Sequence, residues 1–265
     1  MFLPEDRPLL AATLRALPAG VLLLIIGRQL PRNDWWWKSW VLGVLNIGAF
    51  FALLFIAAYR LPGGVAAVVG GVQPLIVALL ASRVLRERLT TRTVLAGIAG
   101  VCGVALVALQ AQARLDLIGL LAALGGAVSM AVGIVLSKRW GQPAPPLTVT
   151  AWQLLTGGLT LAILVLMFEG LPTEALTLTN FGGYLYLSLI GTAFAYVMWF
   201  RGIARLPATT TAFLGLLSPI VAVLLGWAVA GEGLGFVQIM GALIVLGAVA
   251  SGLVNRQRTP LGSRQ

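Results

Sequence analysis

The stretch RLPGGVAAVVGGVQPLIVALLASRVLRERL, residues 60–89, decides the fold. Two residues, Gln73 and Pro74, interrupt its otherwise apolar run. A proline inside a helix removes a backbone hydrogen bond and costs roughly 3 kcal/mol or more. The stretch therefore predicts a kinked helix in which the carbonyl of Gly70 is left free, at a glycine where water or a ligand can approach closely.

The same stretch returns 145 residues later as RLPATTTAFLGLLSPIVAVLLGWAVAGEGL, residues 205–234, and matches at eleven of 30 positions without a gap. Shared apolar composition explains the matching Leu and Val residues. It does not explain why Pro74 aligns with Pro219 and Glu87 with Glu232. The chain therefore contains an internal repeat, which we place at 1–112 and 113–255, followed by a basic cytoplasmic tail at 256–265.

Composition places the chain in a membrane, since 59% of its residues are hydrophobic, 10% are charged and the mean hydropathy is +0.98. A soluble domain carries roughly 25% charged residues. We predict an all-α polytopic membrane protein with nine spans. The spans lie near 9–29, 39–59, 63–83, 93–111, 116–137, 146–168, 182–202, 208–230 and 234–254.

Basic residues are more numerous in the loops on one side of the predicted membrane than in the loops on the other. Of 18 Lys and Arg residues, 14 fall on the side of the C-terminus, which the positive-inside rule makes cytoplasmic. The loop that holds Glu87 is basic, whereas the loop that holds Glu232 has no basic residue. The two repeats therefore face opposite ways, which is the inverted-repeat plan of secondary transporters. The excess of basic over acidic residues reflects membrane topology and does not indicate nucleic-acid binding.

Long segments of the chain resemble the drug/metabolite transporter superfamily of EamA type, with its central proline and closing glutamate in each repeat. The resemblance is carried by residues 48–107 and 191–250, and it extends over essentially the whole chain. Among bacterial members, the sequence is most similar to exporters of indigoidine-type pigments. The resemblance implies ten helices, so we expect one helix upstream of Met1, lost through a late start codon or a truncation. It also implies transport of small molecules across the bacterial cytoplasmic membrane.

Ten polar or aromatic residues are the candidates to line a substrate cavity. They are Arg15, Asn46, Gln73, Pro74, Trp152, Gln153, Tyr196, Trp199, Ser218 and Pro219. Each has a plainer alternative: a packing kink at the prolines, helix–helix hydrogen bonds for the amides, ordinary packing for the aromatics, and extension to the surface for Arg15. We expect Asp116 and Glu169 to be solvated, and Glu87 to pair with local arginines or cap a turn.

The leading hypothesis is a secondary transporter, an exporter of small organic metabolites or drugs that works by alternating access. Amino acids, pigments and drug-like compounds are the expected substrates, with the lipid bilayer as the other partner and no cofactor. The alternative is a non-transporting membrane scaffold or a truncated transporter remnant. An enzyme is not expected, because the chain has no histidine and a single cysteine, Cys102. Glycine stripes near Gly97–Gly103 and Gly241–Gly247 predict close helix packing, either within the chain or in a homodimer.

Overall fold

The computed structural model describes residues 7–61, 63–108, 116–170, 178–230 and 235–254. All regular secondary structure in these ranges is helical. The predicted loop around Glu232 and the basic tail at 256–265 lie outside them.

The first repeat supplies the helices up to residue 108, with one π-helical segment. They are α1 (Pro8–Gly27), α2 (Trp35–Gly43), π1 (Val44–Ala49), α3 (Phe50–Arg60), α4 (Gly63–Gly70), α5 (Gln73–Val84) and α6 (Thr91–Ala108).

The second repeat adds one further helix at its start and a π-helical segment after α8, and it otherwise follows the same order. Its elements are α7 (Leu117–Trp140), α8 (Pro146–Leu164), π2 (Val165–Glu169), α9 (Leu178–Ser188), π3 (Leu189–Phe194), α10 (Ala195–Arg205), α11 (Ala208–Leu214), α12 (Leu217–Ala230) and α13 (Phe236–Val254).

The nine predicted spans correspond one to one with apolar helical runs in the described ranges. Seven runs are long and apolar enough to cross a membrane. Two shorter apolar helices, Thr91–Val107 and Phe236–Gly252, fall on the remaining two predicted spans. The prediction of an all-helical, multi-span protein is therefore confirmed.

The expected proline kinks are breaks between separate helices. After α4 the chain turns at Gly71 and Val72, and Pro74 lies in the first turn of α5. Backbone N–H groups in a first turn have no intrahelical partner, so proline costs little there. At the second break, the carbonyl oxygen of Gly215, the repeat counterpart of Gly70, is not left free, because it accepts the N–H of Ser218 at 3.2 Å.

The helices form two compact units, and each unit draws on both repeats. The first unit comprises residues 1–61 and 114–206, and the second comprises residues 62–113 and 207–265. The boundary between units therefore does not follow the boundary between repeats.

In the first unit, α1 packs antiparallel along α8 at two glycines. A Cβ on Gly20 would lie 2.8 Å from the backbone N of Leu155, and a Cβ on Gly158 would lie 3.1 Å from the backbone N of Leu17. Gly20 and Gly158 are 138 residues apart, as are Leu17 and Leu155. The internal repeat therefore converts one contact into the other, as expected for inverted halves that pack together.

In the second unit, α6 packs against α13 through a similar pair. A Cβ on Gly103 would lie 2.9 Å from the carbonyl oxygen of Gly241, and a Cβ on Gly241 would lie 2.7 Å from that of Gly103. Gly103 and Gly241 are not counterparts in the repeat, since the alignment pairs Gly97 with Gly241 and Gly103 with Gly247. These glycines are used for packing within the chain, and a homodimer remains a prediction.

Two glutamates cap helices that are distant in sequence. The carboxylate of Glu87 accepts the backbone N–H of Ala208 at 2.9 Å and the hydroxyl of Thr209 at 2.8 Å, at the start of α11. The carboxylate of Glu169 accepts the N–H groups of Leu9 and Leu10 at 2.6 and 2.8 Å, at the start of α1.

These contacts favour capping among the two roles expected for Glu87, and they correct the expectation for Glu169. Glu87 does not pair with a local arginine, and Glu169 is not simply solvated. Asp116 caps its own helix by accepting the N–H of Gly119 at 2.7 Å, and it lies 3.7 Å from Arg60. Exposed N–H groups at helix starts attract carboxylates, which explains all three positions.

We expect the substitution Glu87→Ala to lower the free energy of unfolding by about 1–3 kcal/mol, because it leaves the first N–H groups of α11 without their charged acceptor. Thermal unfolding of the purified protein in detergent measures the loss. Asp34→Ala is the matched control, since Asp34 is an exposed carboxylate in a surface pair with Lys38 at 3.6 Å. Equal losses in the two variants would contradict the capping role of Glu87.

Candidate substrate-binding region

Two π-helical segments, π1 and π3, interrupt the second and seventh apolar runs. They begin at Val44 and Leu189, which are 145 residues apart, and this is the offset of the internal repeat. A π-helical turn disturbs the regular ladder of backbone hydrogen bonds, and such segments frequently occur at functional sites. Both belong to the first unit, so the repeat places equivalent irregular segments in one compact body.

Asn46 in π1 is the centre of a buried polar network. Its side-chain N–H donates to the Gln153 side-chain oxygen at 2.7 Å and to the Ser137 hydroxyl at 3.3 Å. Asn46 is 0% exposed and Gln153 is 1% exposed, so both contact protein rather than an open cavity in this conformation. The network joins π1 to α7 and α8. Hydrogen bonds between helices were the expected alternative to cavity lining for these amides.

The network leaves two polar atoms without a partner in the described residues. They are the side-chain oxygen of Asn46 and the side-chain nitrogen of Gln153. Turning both amides over would exchange donor and acceptor but leave one of each unpaired. The side chain of Asn46 lies where a Cβ on Gly133 would sit, so α7 requires a glycine at that point.

Arg15 binds the other π segment. Its Nε donates to the hydroxyl of Thr192 at 2.7 Å, and its Nη2 donates to the carbonyl of Gly191 at 3.0 Å. The guanidinium carbon also lies 4.5 Å from the centre of the Phe51 ring. Arg15 therefore bonds to groups within its own unit, which differs from the expected alternative of extension to the surface.

The repeat relates the contacts of Arg15 and Gln153 to each other. Arg15 on α1 corresponds to Gln153 on α8 at an offset of 138, and Asn46 in π1 corresponds to Gly191 in π3 at an offset of 145. In each half, a polar side chain from the antiparallel α1–α8 pair hydrogen-bonds the equivalent position of a π segment. One half uses a neutral amide and the other uses a cation.

The three candidate aromatic residues pack within the first unit. The indole N–H of Trp152 donates to the carbonyl of Gln29 at 2.7 Å, and Trp152 is buried. Tyr196 is also buried, with its ring centre 5.7 Å from that of Phe51 and 5.9 Å from that of Phe200. Trp199 is partly buried and its indole N–H has no acceptor among the described residues.

The remaining candidates flank the helix breaks of the second unit. Pro74 is buried, Gln73 and Pro219 are partly buried, and Ser218 is exposed. A Cβ on Gly70, which precedes the first break, would meet nothing within 4 Å. The backbone beside this break is therefore open to another group.

Two clefts also lie among the described residues of the second unit, and the larger, an open one of about 540 Å³, lies between α6 and α13 beside Leu95 and Ile244. An apolar cleft of about 160 Å³ lies between α12 and α13 beside Ile220 and Leu243, and it is smaller than the roughly 300 Å³ of an ordinary ligand pocket. No group of three His, Cys, Asp or Glu residues suited to a metal occurs in the described ranges.

Sequence reasoning did not find Thr192, Phe51, Ser137 or Gly133. Thr192 follows the repeat counterpart of Asn46 by one residue, so the 145-residue offset offered a signal. Ser137 and Gly133 lie on α7, which the alignment of the repeats does not match to a helix in residues 1–112, so no such signal exists for them.

The sequence matches the EamA-like transporter family over residues 2–109 and 117–252. The chain belongs to this family. Protein PecM of Dickeya dadantii is 47% identical over 250 residues, covering 94% of this chain and 84% of PecM. The uncharacterized transporter YwfM of Bacillus subtilis is 29% identical over 269 residues, covering 97% of this chain and 88% of YwfM.

A crystal structure of another protein shows the same fold, with a TM-score of 0.81 and 21% sequence identity, over 95% of this chain and 90% of that one. Membership of the EamA-like family confirms the superfamily predicted from residues 48–107 and 191–250. The protein is accordingly a multi-pass membrane protein of a transporter family.

The glycine of α7 gives a first test of the buried network. We expect Gly133→Ala to lower the free energy of unfolding of this EamA-family protein by about 1–3 kcal/mol, and with it the unfolding temperature. The reason is overpacking, because the new methyl group displaces the side chain of Asn46. Gly202→Ala is the control, since a Cβ there would meet nothing within 4 Å. An unchanged unfolding temperature in Gly133→Ala would show that Asn46 does not require the glycine.

A double-mutant cycle tests the bond between Asn46 and Gln153. We expect Asn46→Ala and Gln153→Ala each to cost about 1–3 kcal/mol, and the double variant to cost about 0.6–2 kcal/mol less than their sum. Thr13→Ala combined with Gln153→Ala is the control pair, since the Thr13 hydroxyl bonds only within its own helix, to Leu9 at 2.8 Å. Additive losses in the first pair would contradict the network.

Proposed function

We propose that this protein is a secondary transporter that exports small organic metabolites or drug-like compounds across the cytoplasmic membrane by alternating access. The observation that carries the proposal is the pairing of interruptions between the repeats. The π1 segment matches π3, and the break before Gln73 matches the break before Leu217. Interrupted helices from inverted repeats are the elements that form substrate sites in secondary transporters.

In the proposed mechanism, the helix breaks present polar groups to the substrate. The amide of Gln73 and the hydroxyl of Ser218 stand beside the two breaks, and each can donate or accept a hydrogen bond. Pro74 and Pro219 lie in the first turns of the restarting helices. A backbone N–H there has no partner inside the helix, so the N–H that proline lacks is not missed.

The π segments serve as the hinges of the proposed motion. A π segment absorbs a change in helix direction where the regular hydrogen-bond ladder is already disturbed. Asn46 and Gln153 hold π1 in one arrangement, and Arg15 holds π3. Because the two halves are inverted, exchange of their conformations exchanges the side of the membrane that is open.

The distribution of basic residues supports the proposed orientation, with the C-terminus in the cytoplasm of a bacterial cell and the protein in its inner membrane. The similarity to indigoidine-type pigment exporters supports a flat organic substrate, such as a pigment or an aromatic amino acid.

The test compares metabolite export in cells that express the full chain, cells that express the Gln73→Leu variant, and cells without the protein. We expect export of at least one pigment, amino acid or drug with the wild-type chain, and at least a tenfold lower rate with Gln73→Leu, about the effect of one lost hydrogen bond to substrate. The measurement is the ratio of external to internal compound by mass spectrometry, at matched amounts of membrane-inserted protein.

Ser82→Ala is the control, since it removes a polar group from the same helix whose hydroxyl bonds only within that helix, to Leu79 at 2.8 Å. Equal export with and without the wild-type chain would overturn transport and favour the membrane-scaffold alternative. Export that is unchanged in Gln73→Leu would remove Gln73 from the substrate path.

A further inference from the structure

Arg15 is the charged residue that lies farthest inside an apolar span in the described ranges. It is seven residues from the start of α1 and twelve from its end, which corresponds to a depth of about 10 Å at 1.5 Å per residue. Charged side chains at such positions are costly and usually serve a function. The other described Lys and Arg residues in the spans lie within four residues of a span end.

The contacts of Arg15 do not neutralise its charge. A guanidinium group carries five N–H donors, and Arg15 uses one each for Thr192 and Gly191. Both acceptors are neutral. Three N–H donors are left without a protein acceptor in the described ranges, and the side chain is only partly buried.

The acidic residues of the described ranges are engaged elsewhere. Asp34 pairs with Lys38, and Asp116 lies near Arg60 and caps α7. Glu87 caps α11 and Glu169 caps α1. The described part of the chain therefore provides no counter-ion for Arg15.

The internal repeat shows that a positive charge is not needed to hold a π segment. Gln153, the counterpart of Arg15, contacts the equivalent position of π1 with a neutral amide, whose oxygen accepts the side-chain N–H of Asn46. An uncharged side chain suffices for that structural role, so the charge of Arg15 has a different use. A ligand that supplies the missing negative charge would remove the cost of keeping the cation in the span.

We propose that Arg15 binds the carboxylate of an anionic organic substrate. This inference rests on the proposed transport function and names its substrate class. The free edge of the guanidinium matches the two oxygens of a carboxylate, and such charge-assisted bonds are roughly twice as strong as neutral ones. A phosphate monoester shares this chemistry, and the test separates the two.

The test uses the full chain in proteoliposomes and three matched probes: phenylacetate, its neutral amide phenylacetamide, and phenyl phosphate. We expect the wild-type protein to move phenylacetate about tenfold faster than phenylacetamide, the effect of one charge-assisted pair. Arg15→Gln copies the residue that the other repeat uses, and we expect it to lower phenylacetate flux about tenfold more than phenylacetamide flux, which removes the preference for the acid. Arg15→Lys keeps the charge and restores part of the preference.

Thr192→Val separates binding from folding, because it removes an acceptor of Arg15 but keeps the charge. We expect it to lower the unfolding temperature and to retain the preference for the acid. An equal fall in the flux of the acid and the amide in Arg15→Gln would overturn the proposal and make Arg15 structural. Wild-type flux of the amide without preference for the acid would overturn the inference alone and leave transport standing.

Two further outcomes are decisive. Wild-type flux of none of the probes above that of empty liposomes would overturn the inference together with the proposed transport of such compounds. A preference for phenyl phosphate over phenylacetate that Arg15→Gln abolishes would support an oxyanion site at Arg15 and overturn its assignment to carboxylates.

Discussion

Hydrocarbon offers no hydrogen bond to a backbone N–H or carbonyl group, so each end and interruption of a helix in this chain has to be satisfied by the chain itself. Glu87 and Glu169 meet this constraint at helix starts that have no side-chain cap in their own turn. Arg15 meets it at the carbonyl of Gly191, where a π segment disturbs the ladder. Acidic and basic side chains that would be expensive in lipid are thereby used to complete helices.

Glycine contacts between the inverted halves bring the polar groups within reach of the π segments. Gly20 and Gly158 let α1 and α8 approach closely enough for α1 to reach π3 and α8 to reach π1. The two polar contacts are equivalent in position but differ in charge. The proposed preference for an anion rests on this difference, since a neutral amide can hold its segment whereas a cation can also attract an anion.

Much of the fold could be predicted because its signals are local or periodic. Apolar runs of about 20 residues mark the spans, and the match of Pro74 with Pro219 marks the repeat. The break at Gly71 and Val72 was predicted as a kink, because a proline inside an apolar run has the same local signal whether the helix bends or restarts. The candidate site was predicted only in part: Asn46, Gln153 and Arg15 stood out as polar residues in apolar spans, but the acceptor Thr192 did not.

The amino-acid sequence by itself determined the membrane environment, the apolar runs of the described ranges, the repeat and the family, since composition and the order of residues are enough for each of them. The tertiary structure alone decided that Glu87 caps a helix 121 residues away, that α6 and α13 meet at Gly103 and Gly241, and that Arg15 and Gln153 occupy equivalent contacts on two π segments. Those facts depend on which helix faces which, and at what height. Apolar helices in a membrane present similar surfaces on every side, so packing of small residues and a few hydrogen bonds makes the choice.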